Sequence, residues 1–218
     1  TIQTTHQIAH TNQTSHRPVP RLPHQTANLL TLTRVVLVPV FVVEYLVRAP
    51  VLTGALAIFL LAALTDWLDG WVARRFAQQS AFGAFLDPVA DKLMVVAALM
   101  LVVRSHPTLL TLLSAMLVIL REVYVSALRE WMASAGLRNV VAVAQIGKWK
   151  TATQMLALVV LMWGLNQMAQ DAADGATAMR VGEGLLVVAA LLSVISCVQY
   201  SLGAYRGRPN RTSDPGPA

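Results

Sequence analysis

The chain has 218 residues, 56% of them hydrophobic and only 13% charged, with a mean hydropathy of +0.56. That balance excludes an ordinary soluble domain, because the apolar residues fall in long runs rather than alternations. The formal charge is +6 and the pI about 10.1; in so apolar a chain, basic residues mark the cytoplasmic face and attract anionic lipid rather than nucleic acid. A single cysteine, Cys197, excludes an internal disulfide and reads as a small buried hydrophobe.

Residues 1–27 are rich in Thr, Gln, His and Pro and are expected to form a disordered tail. Its histidines (His6, His10, His16, His24) are irregularly spaced for a metal site, and it has no apolar run of a secretory leader. From Asn28 the chain turns apolar, NLLTLTRVVLVPVFVVEYLV, long enough to span a bilayer with a kink at Pro39. Arg34 and Glu44 interrupt this run, and Arg34 is close enough to its start to snorkel to the interface. With Asn28 and Thr31, Arg34 is a candidate for lining a polar cavity.

A second span runs from about Val51 to Arg74, and a third from near Phe85 to Val103, with Pro88 at an early helical position. The fourth opens at Pro107, runs to about Trp131, and carries Arg121, Glu122, Arg129 and Glu130 toward its end. Ionisable residues inside a membrane are costly and mark function by default. Residues 132–147 read as a loop, a fifth span runs from near Lys148 to about Met168, and 169–182 read as a second polar loop. A sixth span covers about Gly184 to Ala204, before a Pro/Gly/Arg tail at 206–218. The expected fold is therefore all-α, a polytopic membrane domain over 28–205 with six transmembrane helices. Six spans leave both termini on one side. Most lysines and arginines outside the spans lie on that side, against Arg48, Arg104 and Arg180 opposite, so both termini are expected in the cytoplasm.

Between the second and third runs lies TDWLDGWVARRFAQQSAFGAFLDPVADK, with four aspartates, Asp66, Asp69, Asp87 and Asp91. On helices, spacings of three and four put each pair on one face. Gly70, Ala73 and Gly83 strip the neighbouring surface of bulk. Ion pairing with Arg74, Arg75 and Lys92 would need no such bare floor. Carboxylates that stay ionised beside lipid need a cation or dense hydrogen bonding. An oxygen-only set suits Mg²⁺ or Mn²⁺ rather than zinc, and four acids are enough for two ions about 3.5–4 Å apart. Farther along, Arg121, Arg129, Lys148 and Lys150 fall at the same end of spans four and five, and Glu122, Ser126 and Arg129 share a helical face. Fixed cations of this kind suit an anionic second substrate, since Arg grips phosphate oxygens bidentately and Lys as a point charge. No Ser–His or Cys–His arrangement competes: the only histidine beyond the tail, His106, lies at the far end.

Asp66, Asp69, Gly70, Ala73, Arg74, Gly83, Asp87 and Asp91 fit the pattern D-x₂-D-G-x₂-A-R-x₈-G-x₃-D-x₃-D without a gap. The stretch resembles the signature of the CDP-alcohol phosphotransferases, membrane enzymes that move a substituted phosphate from a CDP-alcohol to another alcohol and release CMP. Eight fixed positions within 26 residues make the match specific. The segments NLLTLTRVVLVPVF, GAFLDPVADKLMV, REVYVSALREWMA and GKWKTATQMLAL resemble the bacterial branch of that family whose acceptor is glycerol 3-phosphate. The resemblance implies a six-helix homodimer in the bacterial cytoplasmic (inner) membrane, using CDP-diacylglycerol and open to the cytoplasm. It assigns metal binding to the four aspartates, the general-base role to Asp91, and the CDP moiety to Gly70, Ala73, Arg74 and Gly83. Rival readings are a sibling enzyme with another acceptor, such as inositol phosphate or phosphatidylglycerol, and a divalent-cation transporter. The transporter is disfavoured because the acids lie at a span end and no internal repeat is visible.

Overall fold

The computed structural model describes residues 25–49, 51–76, 81–134, 145–171 and 173–206. Within them the chain is all-α: α1 (Gln25–Arg48), α2 (Thr53–Phe76), α3 (Ala81–Ser105), α4 (Leu109–Ser134), α5 (Gln145–Ala169) and α6 (Gly175–Arg206), with no strand among the described residues. The expected tails fall largely outside the described residues, as does most of the 132–147 loop.

Hydrogen bonds at one end of the bundle tie the helices together. The Tyr45 hydroxyl of α1 meets the Leu101 carbonyl and the Ser105 hydroxyl of α3. There too, Asn166 Oδ1 of α5 accepts from the Leu52 amide at 3.1 Å and the Thr53 hydroxyl at 3.3 Å, capping the start of α2. The Glu183 carboxylate of α6 accepts from the hydroxyls of Thr108 (2.5 Å) and Thr111 (2.8 Å) at the head of α4. Thr108 is the N-cap of α4: its hydroxyl accepts from the Thr111 amide at 3.1 Å, satisfying a donor that a helix start leaves open.

Between the two ends the interior is apolar. Phe41 of α1 meets Tyr45 of the same helix and Phe59 of α2, with ring centroids 6.0 Å apart in each pair. Leu99 and Val102 of α3, Val118 of α4, Leu158 and Leu161 of α5 and Leu186 of α6 close the core.

Helix α5 packs along α6 more extensively than any other pair, and glycines allow it. A Cβ on Gly182 would lie 2.7 Å from Leu161 Cγ, and one on Gly164 would lie 3.0 Å from Met179 Sδ. Small residues let backbones approach closely where lipid supplies no hydrophobic drive to associate.

The outward faces are as apolar as the interior. Val36, Val40, Val43 and Val47 line one exposed stripe of α1, and Leu109, Leu113, Leu117, Leu120 and Val123 run down α4. Soluble monomers rarely expose apolar patches on this scale. Among the described residues three helices are long and apolar enough to cross a membrane: Leu109–Ser134, Trp149–Ala169 and Gly175–Tyr205. The apolar stretch Thr53–Asp66 of α2 is shorter.

Helix α6 starts well before the expected Gly184. Ala178 and Met179 are 5% and 3% exposed against α5, so most of the segment read as a polar loop is helix. The turn that remains has Asp171 at φ 52°, a left-handed conformation that aspartate tolerates better than most residues. Helix α3 likewise begins at Ala81, ahead of Phe85: with tertiary packing available, Gly83 weakens the helix but does not end it.

Candidate functional site

The end of the bundle opposite Tyr45, Asn166 and Glu183 carries two clusters of charged residues that include most of those singled out from sequence. Asp66 comes from the C-terminal half of α2, Asp91 from the N-terminal half of α3, and Arg34 from α1. Arg34 Nη1 donates to Asp66 Oδ1 at 2.8 Å and to Asp91 Oδ1 at 2.6 Å. The Arg34 side chain is 4% exposed, whereas those of Asp66 and Asp91 are 52% and 43% exposed. Thus a buried cation is delivered from beneath to two carboxylates that remain open to the outside. Upstream of Asp66, the Thr65 hydroxyl donates back to the carbonyls of Leu61 and Ala62.

Asp69, Gly70, Ala73 and Arg74 lie on α2, and Gly83 and Asp87 on α3. Their side chains are outside the described ones, as are those of Asn28 and Thr31 on α1 and Lys148 on α5. Among the described residues no three His, Cys, Asp or Glu side chains form a metal cluster. The donor set nevertheless fits a divalent cation. Oxygens from two helices converge on one positively charged nitrogen, so positive charge is accommodated at their meeting point, and carboxylate oxygen is the ligand that Mg²⁺ or Mn²⁺ prefers.

A second polar cluster sits at the same end on α4, α5 and α6. A cavity of about 610 Å³ is lined by Arg121, Glu122 and Arg129 of α4, Gly147 and Thr151 of α5, and Tyr200 of α6, among others. Arg121 Nη2 donates to Ser196 Oγ at 2.7 Å, and its guanidinium carbon lies 5.9 Å from the centre of the Tyr200 ring. Arg121 Nε is buried and meets no acceptor among the described residues. Lys150, 2% exposed, pairs with Glu122, so it reaches the cavity through that carboxylate. Lys92, next to Asp91 in sequence, is near enough to Arg129 and Arg121 to feel their charge, which links the two clusters across α3 and α4. Chemically, one half of this end offers carboxylates for cations and the other offers guanidinium groups for anions.

Of the residues singled out from sequence, the structure brings together Arg34, Asp66 and Asp91 at one cluster and Arg121, Arg129 and Lys150 at the other. Sequence reasoning passed over Ser196, Tyr200 and Thr151. A signal for the first two existed: Ser193, Ser196, Cys197 and Tyr200 form a polar stripe at helical spacing in an otherwise apolar α6.

A helical bundle that is apolar outside, has three helices long and apolar enough to cross a membrane and carries two charged clusters at one end has the make-up of a membrane protein with a polar site. The CDP-alcohol phosphatidyltransferase family model matches residues 24–196, and the chain belongs to that family. Enzymes of this family use divalent metal ions. A relative from Haemophilus influenzae named CDP-diacylglycerol–glycerol-3-phosphate 3-phosphatidyltransferase is 47% identical over 174 residues, covering 78% of this chain and 88% of the relative. Proteins of the same name from Salmonella typhimurium (47% over 182 residues, 82% and 93% covered) and Pectobacterium atrosepticum (46% over 175 residues, 79% and 90% covered) are similarly close.

Proposed function

We propose that this chain transfers the phosphatidyl group of CDP-diacylglycerol to glycerol 3-phosphate, giving phosphatidylglycerophosphate and CMP. The observation that carries the reading is the pairing of an acidic cluster with a separate arginine-lined cavity at one end of a membrane bundle. The first suits a pyrophosphate held through cations; the second suits an acceptor that carries a phosphate of its own. The relatives' shared name matches that division of labour.

In this reading Asp66, Asp69, Asp87 and Asp91 hold two Mg²⁺ or Mn²⁺ ions, and the CDP moiety lies over Gly70, Ala73, Arg74 and Gly83. The bound ions supply Lewis-acid stabilisation of charge on the phosphates. Asp91 accepts the proton of the acceptor's 1-hydroxyl as its oxygen attacks the β-phosphorus and the bond to CMP breaks. Arg121 and Arg129, with Lys148 and Lys150 nearby, hold the acceptor's phosphate. Ser196 and Tyr200 keep the Arg121 guanidinium in place through the 2.7 Å hydrogen bond and the overlying ring. Asn28 and Thr31 extend the polar lining from the start of α1. Positioning rather than covalent catalysis carries such a transfer.

We place all six helices across the inner membrane of a bacterium as a homodimer, with both termini and the site on the cytoplasmic side, where nucleotide substrates are made. Exposed Trp131, Trp149 and Tyr205 ring the site end, as interfacial aromatics do. The test is CMP release by the purified protein with CDP-diacylglycerol and a panel of acceptors. Glycerol 3-phosphate should be the best acceptor; preference for inositol phosphate, phosphatidylglycerol or serine would refute this assignment while leaving the family intact.

A further inference from the structure

Arg34 stands apart from the other cations at this end. It is 3% exposed, it rises from α1 rather than from α4 or α5, and one of its nitrogens holds an oxygen of Asp66 and an oxygen of Asp91 at once. Burying an arginine among helices is costly unless its charge is matched, and here two carboxylates from two different helices match it. The same oxygens belong to the residues assigned above to metal binding. A divalent ion drawing on them meets a unit of positive charge already at their junction.

We infer that Arg34 is a built-in counter-cation that competes with the divalent ions for Asp66 and Asp91, setting how tightly the site binds metal and holding α2 and α3 in register whenever metal is scarce. Arg34 is thus a positioning residue, acting through the two aspartates. The inference rests on the metal reading of those aspartates and adds a tuning residue to it. Competition follows from charge: two cations near one carboxylate pair repel each other in a setting screened less than bulk water. Register follows from geometry, since α1, α2 and α3 are tied at this end through the same guanidinium.

The test is Mn²⁺ binding, measured by calorimetry and by electron paramagnetic resonance on the full-length protein in detergent, without substrates. Arg34→Gln, which removes the charge and keeps a polar side chain, should bind Mn²⁺ at least ~10-fold more tightly than the wild type. In chelator it should melt at a lower temperature, and Mn²⁺ should raise its melting point by more than it raises that of the wild type. An unchanged or weaker Mn²⁺ affinity in Arg34→Gln, with normal binding by the wild type, overturns the inference alone. No Mn²⁺ binding by either protein overturns the metal reading and the inference with it. A wild-type measurement covers the case in which the variant does not fold. The ¹⁵N guanidinium resonance of Arg34, identified by its loss in Arg34→Lys, should shift as Mg²⁺ is titrated; a resonance indifferent to Mg²⁺ at saturation contradicts competition.

Discussion

The proposed function asks two things of Asp91, to help hold cations and to take a proton, and its surroundings suit both. Its carboxylate is only partly covered, so one oxygen is engaged by Arg34 while the group stays open to a substrate. Replacing it by asparagine keeps the shape and removes the charge. Asp66 remains to match the buried Arg34 charge, so the variant should still fold, whereas loss of a general base costs about 10²–10⁴-fold in rate. Asp91→Asn should therefore retain its helical signal and lose turnover by that factor. Near-normal turnover would remove Asp91 as the base. Arg121 tests the other half of the site. Hydrogen bonds to charged groups are worth about 1.5–3 kcal/mol, so Arg121→Ala should raise the apparent KM for glycerol 3-phosphate roughly 10- to 150-fold, with less effect on the KM for CDP-diacylglycerol. If the CDP-diacylglycerol KM moved alone, the two subsites would be wrongly divided.

At the scale of elements, the α5–α6 pair is the most closely packed part of the bundle, and its tolerance of added atoms is uneven. Gly182 faces buried Leu161, which has no room to retreat, while a Cβ at Gly184 meets nothing within 4 Å. Overpacking a filled interior costs about 1–3 kcal/mol. Gly182→Ala should lower the melting point and Gly184→Ala should not, as read by thermal unfolding in one detergent. Equal behaviour of the two variants would mean that α5 and α6 do not meet as described. Helix interiors were legible in the sequence because an apolar run long enough to span a bilayer folds as a helix, the only single segment that satisfies its own backbone in lipid. Helix starts were less so. Residues 175–182 contain two glycines and Arg180 and look like loop, yet Ala178 and Met179 carry the helix upstream by burying against α5. Only tertiary contact supplies that information.

For the whole molecule, which charged side chains meet across helices is what local sequence cannot state. The aspartate motif was legible because its spacing is specific and its residues lie within 26 positions. The ion pairs of Asp66 and Asp91 were not, since Arg34 lies 32 and 57 residues away from them: the sequence marked it as an interface anchor or a cavity-lining residue, without naming its partners. The same holds for Ser196 and Tyr200, which join Arg121 across 75 or more residues. Their polar stripe was visible; its destination was not.

At that scale the proposed function sets one requirement: the carboxylates meeting between α2 and α3 must work by holding divalent ions. The most direct measurement is CMP release from CDP-diacylglycerol and glycerol 3-phosphate by the purified protein, before chelation, after it, and after Mg²⁺ or Mn²⁺ is returned. Activity should vanish with chelator and come back with the ion in the wild type, and Asp66→Ala should stay inactive at every ion concentration. Turnover that persists undiminished in chelator would contradict a metal-dependent site.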